Sequence, residues 1–382
     1  MKPLSRAVLS SKKSSIRKLF ELVLASEDAI SLGIGQPDFP TPATVVEGIK
    51  RALDEGRTTY APTLGLPDLR DEVARKFREE NGMGWVEREN VMVTNGGSQG
   101  IELSFASLAN PGDEVLLSSP NFISYFYVAA FFGVRVVEVP RRPDFSVDVD
   151  GLRAAVTPKT KFVLINTPNN PTGYAYSPAE LDAVVDLALE RDLYLVSDEV
   201  YEKFLYGGVE HRSPAAKEEV ADRTVTLNAL SKTYAATGLR CGFVAAPVEV
   251  IDLMEKYAQY TSAGVNHPTQ LGALAGLRAG SEFIRDVVAR YDSRRRFCEK
   301  RLAELGLECP PGRGAFYLMP DVGSVASSGE EFSTELMKSQ RVAVVPGDAF
   351  GSHSATRVRI SYATSEENLE GAFERIERYL NS

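Results

Sequence analysis

The chain has 382 residues, which is too long for one ordinary hydrophobic core and suits about two or three domains. Its hydrophobic content of 43% and charged content of 25% are typical of globular proteins. The net charge of −9 argues against a nucleic-acid partner, because a phosphate backbone requires a basic surface.

The cysteines, histidines and apolar stretches exclude several further classes. The three cysteines have no paired spacing and the three histidines are far apart, so we expect neither disulfides nor a bound metal. No apolar stretch is long enough for a signal peptide or a membrane span. We therefore expect a cytoplasmic protein with no membrane partner.

The N-terminal part predicts helices joined by a stiff loop. Residues 14–24 carry apolar side chains at helical spacing and predict an amphipathic helix. Two glycines and three prolines at 31–42 indicate an irregular loop, which on its own is a linker. A helix is predicted over 43–55, and a second begins after Gly65 and Pro67. Tyr60, just before that turn, is by itself an exposed tyrosine.

Residues 90–108 predict a strand, a glycine turn and a helix. Free backbone amides at a helix N-terminus attract anions, and glycines allow an anion to approach closely. The turn at 96–97 is therefore a candidate phosphate cradle. It is not a P-loop, because no Gly-Lys-Ser/Thr follows.

The same turn supports a competing hypothesis. Residues 96–100 fit Gly-x-Ser-x-Gly, the nucleophile elbow of hydrolases, in its expected strand-turn-helix context. A later aspartate (Asp198 or Asp348) and His353 follow in hydrolase order. A serine hydrolase with Ser98 as the nucleophile is therefore a hypothesis from a different class of enzyme.

Polar and aromatic side chains follow several predicted strands. Phe122 comes just after the strand at 113–117, and Asn170 lies in an Asn-Pro-Thr-Gly turn after the apolar run at 162–165. Asp198 ends another apolar run. Open α/β sheets bind ligands beyond the carboxyl ends of their strands, which makes these residues site candidates. In purely structural roles, Phe122 would be a core aromatic, Asn170 part of a simple turn and Asp198 an ion-pair partner.

Lys232 stands between two predicted strands, at about 224–227 and 240–246. Small and apolar residues flank it rather than other charges, which favours burial over a solvated surface position. A buried lysine loses its charge more easily, and its free amine can form a Schiff base with an aldehyde cofactor.

The C-terminal part predicts a long helical stretch over 269–305 and then a small α+β region. The basic run at 294–296 is expected on a solvated helix face. Arg357 and Arg359 share one face of the last strand, where an arginine in apolar surroundings suits bidentate capture of a carboxylate.

Taken in order from residue 14 to the last helix, these motifs resemble the pyridoxal-phosphate-dependent aminotransferases of class I and II. They are most similar to the archaeal-type aromatic and broad-range enzymes. The resemblance implies an α/β protein of the fold type I class, in which a large domain has a mostly parallel central sheet flanked by helices. We expect that domain at 43–275 and a smaller α+β domain formed by 1–42 and 276–382.

The resemblance also implies a role for each candidate residue in a homodimer with shared active sites. Lys232 would carry pyridoxal 5′-phosphate, with Asp198 and Tyr201 as further catalytic residues. Gly35 and Arg359 would bind the substrate carboxylate, and Asn170 would be a further substrate-binding residue. Asn170 and Tyr201 would also contact the phenolic oxygen of the cofactor. The cofactor would contact Tyr60 across the dimer interface, and within one chain Gly97, Ser98, Gln99, Phe122, Asn170, Asp198, Tyr201, Ser231, Lys232 and Arg240.

Two departures from the family pattern concern affinity and substrate. Ala229 stands where the family usually has a small polar residue that contacts the phosphate. Ser98 stands where some aspartate aminotransferases of this subgroup carry a lysine for the distal carboxylate. We therefore expect aromatic or other hydrophobic amino donors, with aspartate possible, and 2-oxoglutarate as the acceptor. The same motifs would also fit a carbon-sulfur lyase on this scaffold or a non-catalytic cofactor-binding regulator.

Overall fold

The computed structural model describes residues 28–382 together with positions 4, 5, 8, 9, 23 and 26. Apart from Val23, the helix predicted at 14–24 lies outside the described residues. The continuous part opens with a two-residue strand, β1 (Ile30–Ser31), and the loop that precedes the first large helix.

A seven-stranded sheet forms the centre of the fold, with the order β2-β8-β7-β6-β5-β3-β4. Only β8 runs antiparallel to its neighbours. Both faces of the sheet are covered by helices, which is why most of its strands are continuously buried. The strands are β2 (Val91–Thr94), β3 (Glu114–Ser119), β4 (Arg135–Pro140), β5 (Thr160–Asn166), β6 (Tyr194–Asp198), β7 (Thr224–Ala229) and β8 (Gly242–Ala245).

The register of the sheet brings the predicted polar residues together. Asn166 and Asp198 are paired neighbours at the carboxyl ends of β5 and β6. Asp198 is in turn paired with Leu227 of β7, a few residues before Lys232. Since parallel strands end at the same edge, the side chains that follow them meet there.

The predicted cap of one helix in this part is confirmed. Ser177 caps its helix in a capping box with Glu180, as predicted. The helices are α1 (Ala43–Asp54), α2 (Pro67–Asn81), α3 (Gly97–Leu108), α4 (Ile123–Phe131), α5 (Val149–Ala155), α6 (Pro178–Glu190), α7 (Leu230–Thr233), α8 (Val248–Thr261) and α9 (His267–Arg278).

The C-terminal part is α+β, as predicted. A three-stranded antiparallel sheet has the order β11-β12-β9, and β10 pairs in parallel with β1. That pairing joins the segment before α1 to the C-terminal part; the domain boundaries stay a prediction. The elements are α10 (Glu282–Glu304), β9 (Tyr317–Leu318), α11 (Gly329–Gln340), β10 (Val342–Ala343), β11 (Val345–Pro346), β12 (Val358–Ser361) and α12 (Glu366–Leu380).

Two predictions for the segment 269–305 were wrong. The helical stretch is broken between α9 and α10, where Gly280 has a φ of 84°, a left-handed conformation that cannot continue a helix. The basic run is not a solvated face, because the Arg294 side chain is only 7% exposed and pairs with Asp38 at 2.8 Å. Only Arg296 points outward, since helical rotation turns Arg294 to the face that also carries buried Tyr291 and Cys298.

Within the part of the chain that the structure describes, no helix combines the length and apolarity needed to cross a bilayer. All three cysteines are free.

Candidate active site

A cavity of about 270 Å³ lies at the carboxyl edge of the central sheet. It gathers most of the residues predicted to form the site: Gly35, Gly97, Ser98, Phe122, Asn170, Asp198, Tyr201, Ser231, Lys232, Arg240 and Arg359. Sequence reasoning identified Ala229 only as a departure from the family pattern, and it assigned no role to the other lining residues: Ile101, Tyr125, Asn166, Val200, Thr237 and Tyr317.

Lys232 enters this cavity from α7, the four-residue helix that follows β7. Its Nζ donates a hydrogen bond to the carbonyl of Gly35 at 2.6 Å. Burial, reinforced by the positive charges of Arg359 and Arg240, lowers the pKa of the Lys232 amine to about 8. A neutral amine is therefore accessible near neutral pH, and a solvated surface lysine is not supported.

Asp198 is a buried carboxylate at the end of β6, with 4% of its surface exposed. Oδ2 accepts a hydrogen bond from the Tyr125 hydroxyl at 2.6 Å, and Oδ1 accepts one from the Val200 amide at 3.2 Å. Burial raises the pKa of Asp198 to about 6, and the bond from Tyr125 opposes that shift. A carboxylate in this environment favours a cationic partner inside the cavity.

Tyr125 could have been found from the sequence. It follows Phe122 by three residues, so both side chains fall on one side of the start of α4. Their rings are in edge contact with centroids 5.5 Å apart.

Arg359 is a buried guanidinium carried by β12, with 2% of its surface exposed. Nη1 donates to Asn170 Oδ1 at 2.9 Å and Nη2 donates to the carbonyl of Gly33 at 2.5 Å. Nε has no hydrogen-bond partner among the described residues. Because no carboxylate of the described residues pairs with it, this cation fits a carboxylate ligand.

Arg357, the nearby arginine most easily confused with Arg359, does not line the cavity. Its Nη1 donates to the carbonyl of Met319 at 3.0 Å, and its guanidinium stacks on Phe145 at 4.9 Å. The prediction that Arg357 and Arg359 share one face assumed that both lie in the strand. Arg357 precedes β12, so the alternation of side chains along the strand does not apply to it.

The glycine turn and Arg240 together form a cationic cradle. Gly96 has a φ of 76°, and no side chain caps the N-terminus of α3. The first amides of a helix have no intrahelical acceptor, which leaves those of Gly97 and Ser98 for an anion. A Cβ on Gly96 would lie 2.6 Å from Arg240 Nη2, so only glycine allows this approach. Arg240 is held by bonds to backbone carbonyls, including that of Thr237 at 2.9 Å.

Two predicted site residues do not line the cavity. The Gln99 side chain turns away from the cavity. Its Oε1 accepts a hydrogen bond from the backbone amide of Asn95 at 2.7 Å, and its Nε2 donates one to the hydroxyl of Ser262 at 2.7 Å. Tyr60 is 93% exposed and lines a separate surface groove with residues 58–61 and 262–268. A single chain therefore does not bring Tyr60 to the cavity.

The hydrolase hypothesis lacks a base. Ser98 lines the cavity, but none of the described residues around it is a histidine, and His353 is solvent-exposed elsewhere. The carboxylate of Asp198 is engaged by Tyr125. A serine nucleophile requires a base within hydrogen-bond reach, which this arrangement does not provide.

A cluster of acids with a histidine lies behind the site. Ligand atoms of Glu199, Glu202 and His211 are within 4.8 Å of one another. Glu199 is bonded to His211 at 2.8 Å, while Glu202 pairs with buried Lys76 and accepts a bond from Asn81 at 2.6 Å. These partners satisfy the carboxylates, so the cluster is a buried ion-pair network.

Comparison with known proteins identifies the family. The sequence pattern of the family Aminotransferase class I and II matches residues 27–376. Aromatic-amino-acid aminotransferase 2 of Thermococcus litoralis is 42% identical over 371 residues, covering 96% of this chain and 95% of that protein. An aspartate aminotransferase of Pyrococcus abyssi is 41% identical over 371 residues, with the same coverage of 96% and 95%.

A solved structure shows the same fold. The aspartate aminotransferase of Thermus thermophilus with maleate has a TM-score of 0.95 to this chain at 40% identity, covering 99% of this chain and 100% of that one. The chain belongs to the class I and II aminotransferases. It is an aminotransferase of fold type I, as the motifs predicted.

Proposed function

We propose that this aminotransferase holds pyridoxal 5′-phosphate at Lys232 and moves amino groups from amino acids with aromatic or other hydrophobic side chains to 2-oxoglutarate. One observation carries the proposal: a lysine amine, a buried carboxylate and a buried guanidinium that has no carboxylate partner among the described residues face one cavity. Each of these groups is costly to bury without a ligand of complementary charge.

The residues of the cavity fit the cofactor. The amides of Gly97 and Ser98, with Arg240, suit its phosphate, and the ring of Phe122 suits its aromatic ring. Asp198 provides the negative charge that a protonated ring nitrogen requires. In place of the missing hydroxyl at Ala229, Ser231 lines the cavity and supplies one.

The chain's own groups then divide the remaining work. When bound, pyridoxal phosphate supplies an aldehyde that condenses with amines and a ring that accepts electrons. Arg359 orients the substrate by its carboxylate, assisted by Asn170 at 2.9 Å from the guanidinium. Lys232 Nζ takes the α-proton of the donor and returns it, because its lowered pKa keeps part of the amine neutral.

The substrate class follows from the wall of the cavity. Ile101, Val200 and Tyr317 are apolar or aromatic lining residues beside the groups already assigned. Among the described lining residues the cations are Lys232, Arg240 and Arg359, and the proposal already uses all three. The second carboxylate of any dicarboxylate, aspartate and 2-oxoglutarate alike, would therefore meet hydroxyls such as that of Ser98 and no further cation among these residues, so an acidic donor gains no advantage over a hydrophobic one. The relatives are named for both aromatic and aspartate substrates at nearly equal identity, so they do not distinguish the two substrate classes. The proposed class therefore rests on the residues of the cavity.

The assembly and location belong to the same proposal. A homodimer would bring Tyr60 of a second copy towards the cavity that the single chain leaves without it. A cytoplasmic location would suit the free cysteines.

Substrate kinetics test the proposal. With 2-oxoglutarate as acceptor, we expect kcat/KM for phenylalanine and tyrosine to exceed that for aspartate by at least about tenfold. Ser98→Lys, which adds a cation at the cavity, should raise kcat/KM for aspartate, and Ser98→Thr is its matched control. A preference for aspartate in the wild-type enzyme would overturn the substrate assignment. Turnover that needs no oxo acid would indicate a lyase instead.

A further inference from the structure

Tyr317 of β9 joins three parts of the site, although the sequence motifs gave it no role. It is 1% exposed, and its hydroxyl lies 2.8 Å from the hydroxyl of Tyr201. The Arg359 guanidinium lies over its ring, 4.6 Å from the centroid. A Cβ on Gly35 would overlap with the Tyr317 hydroxyl, so the loop passes closely over this side chain only because residue 35 is glycine.

We propose that Tyr317 is a positioning residue that orients the Tyr201 hydroxyl and supports the Arg359 guanidinium, so that one side chain aligns cofactor recognition with carboxylate recognition. The inference rests on the proposed function and on the role that the family resemblance implies for Tyr201, a hydrogen bond to the phenolic oxygen of pyridoxal phosphate.

The direction of the Tyr–Tyr hydrogen bond follows from the number of protons. A phenol has one proton to donate, and in the role that the resemblance implies Tyr201 donates it to the ring oxygen. Tyr317 must then be the donor in the bond between the two hydroxyls. A hydroxyl that accepts a hydrogen bond is a stronger donor itself, because chained bonds polarise one another. Tyr317 therefore strengthens the bond from Tyr201 and stabilises negative charge on the ring oxygen.

Both phenols keep their protons across the working range of the enzyme. Burial raises the pKa of Tyr201 and of Tyr317 above its usual value. The charged or titratable groups that act on this pair come from separate elements, Asp198 from β6 and Arg359 from β12, with Lys232 of α7 over the Tyr201 ring. Removing the Tyr317 hydroxyl leaves all three in place, so the hydrogen bond is lost without a change in the neighbouring charges.

The test measures the pH midpoint of the visible absorption of the holoenzyme. Tyr317→Phe should raise the midpoint by about 0.3–1 pH unit, the equivalent of one hydrogen bond. Without the bond from Tyr317, negative charge on the ring oxygen is less stabilised, so the bound cofactor loses its proton only at a higher pH. Tyr201→Phe is the reference and should shift it in the same direction by at least as much. Tyr362→Phe, which removes a buried hydroxyl bonded to the carbonyl of Ala315 outside the cavity, should leave it unchanged.

The support of Arg359 is measured separately by kinetics. Tyr317→Phe keeps the aromatic face and should leave KM for the amino donor near the wild-type value. Tyr317→Leu removes that face and should raise KM by about 3- to 30-fold, the range expected for a lost cation–π contact. The thermal midpoint of each variant checks folding, and the conservative Tyr317→Phe decides the hydrogen-bond claim if Tyr317→Leu does not fold.

The outcomes separate this inference from the proposed function. A midpoint that moves in Tyr201→Phe but not in Tyr317→Phe would overturn the inference and leave the proposed function intact. If neither variant shifts the midpoint, Tyr201 does not bind the ring oxygen, and both its proposed role and this inference are wrong. A wild-type protein that develops no visible absorption with pyridoxal phosphate would overturn the proposed function and this inference with it.

Discussion

Arg359 donates a hydrogen bond from Nη1 to Asn170 Oδ1 across 2.9 Å, and this bond links residues 189 positions apart in the chain. Arg359 belongs to the C-terminal antiparallel sheet, whereas Asn170 lies in the turn that follows β5 of the central sheet. The proposed carboxylate receptor therefore forms where the two sheets come together, and its guanidinium is held by the same turn that borders the proposed cofactor site.

The first prediction concerns that guanidinium. Arg359→Lys removes the bidentate fork, and we expect KM for every amino donor to rise about 10- to 100-fold, equivalent to about 1.5–3 kcal/mol for hydrogen bonds to a charged group. Arg357→Lys, outside the cavity, is the control and should leave KM near the wild-type value. Steady-state kinetics with two donors measure the effect. Equal losses in the two variants would show that the receptor is not Arg359.

The second prediction concerns the bond from Tyr125 to Asp198. Tyr125→Phe removes an interaction that lowers the pKa of Asp198, so this pKa should rise above its present value of about 6. The carboxylate form binds the cofactor, and its fraction falls as pH falls through that pKa. The Kd for pyridoxal phosphate should therefore increase, by up to about tenfold at about pH 6.5 and much less at about pH 8.5.

Titration of apoprotein with pyridoxal phosphate at the two pH values measures this effect. Tyr257→Phe removes a hydroxyl bonded to Glu102 at 2.9 Å, away from the cavity, and serves as the control. A Kd ratio between Tyr125→Phe and wild type that is independent of pH would contradict the assignment to Asp198.

The third prediction concerns the stability cost of Lys232. Its folded pKa of about 8 lies below the ordinary value of 10.5, so the unfolded chain binds more protons between these two values. The wild-type apoprotein should therefore gain stability as pH rises through this window. Lys232→Met should be more stable than wild type at about pH 7, by up to about 3 kcal/mol, and the difference should shrink towards about pH 10.

Urea unfolding of the two apoproteins at both pH values measures the difference. If Lys232→Met were equally destabilised at both, the amine would be a satisfied structural group rather than a desolvated one.

The fourth prediction concerns the loop that carries Gly35. Asp38 of this loop pairs with buried Arg294 of α10 at 2.8 Å. Asp38→Asn leaves that arginine without its carboxylate, and we expect a loss of about 1–3 kcal/mol together with a raised KM for the donor. Asp286→Asn is the control on the same helix, since Asp286 and Arg290 are both more than half exposed and their pair should contribute about 0–1 kcal/mol. Equal effects of the two substitutions on unfolding and on KM would refute a role for the Asp38 pair in holding the loop.

The parts of the site found from the sequence share a recognisable context. Asp198 ends a buried strand, and Asn170 and Lys232 each follow one, so their position in the chain already implies proximity to the sheet edge. Tyr317 was missed because it stands in a run of apolar residues, where an aromatic cannot be distinguished from core packing. Only the register of β9 against β12 places Tyr317 beside the strand that carries Arg359.

Charge runs and helix breaks proved harder to interpret than strand ends. Three consecutive arginines predict a solvated face by composition, but the partner that buries Arg294 is Asp38, 256 residues earlier. Similarly, a single glycine is tolerated in many helices, and Gly280 ends one here because its backbone turns left-handed. Long-range packing decides both cases, and a local sequence pattern carries no information about such packing.

The visible absorption of the purified protein tests the central claim most directly. After incubation with pyridoxal phosphate, the wild-type protein should absorb in the visible, lose that band on addition of glutamate and recover it with 2-oxoglutarate. Lys232→Ala should not perform this cycle. A wild-type protein that remains colourless after the incubation would contradict the account, because Lys232 would then be a structural residue and the cavity would bind something else.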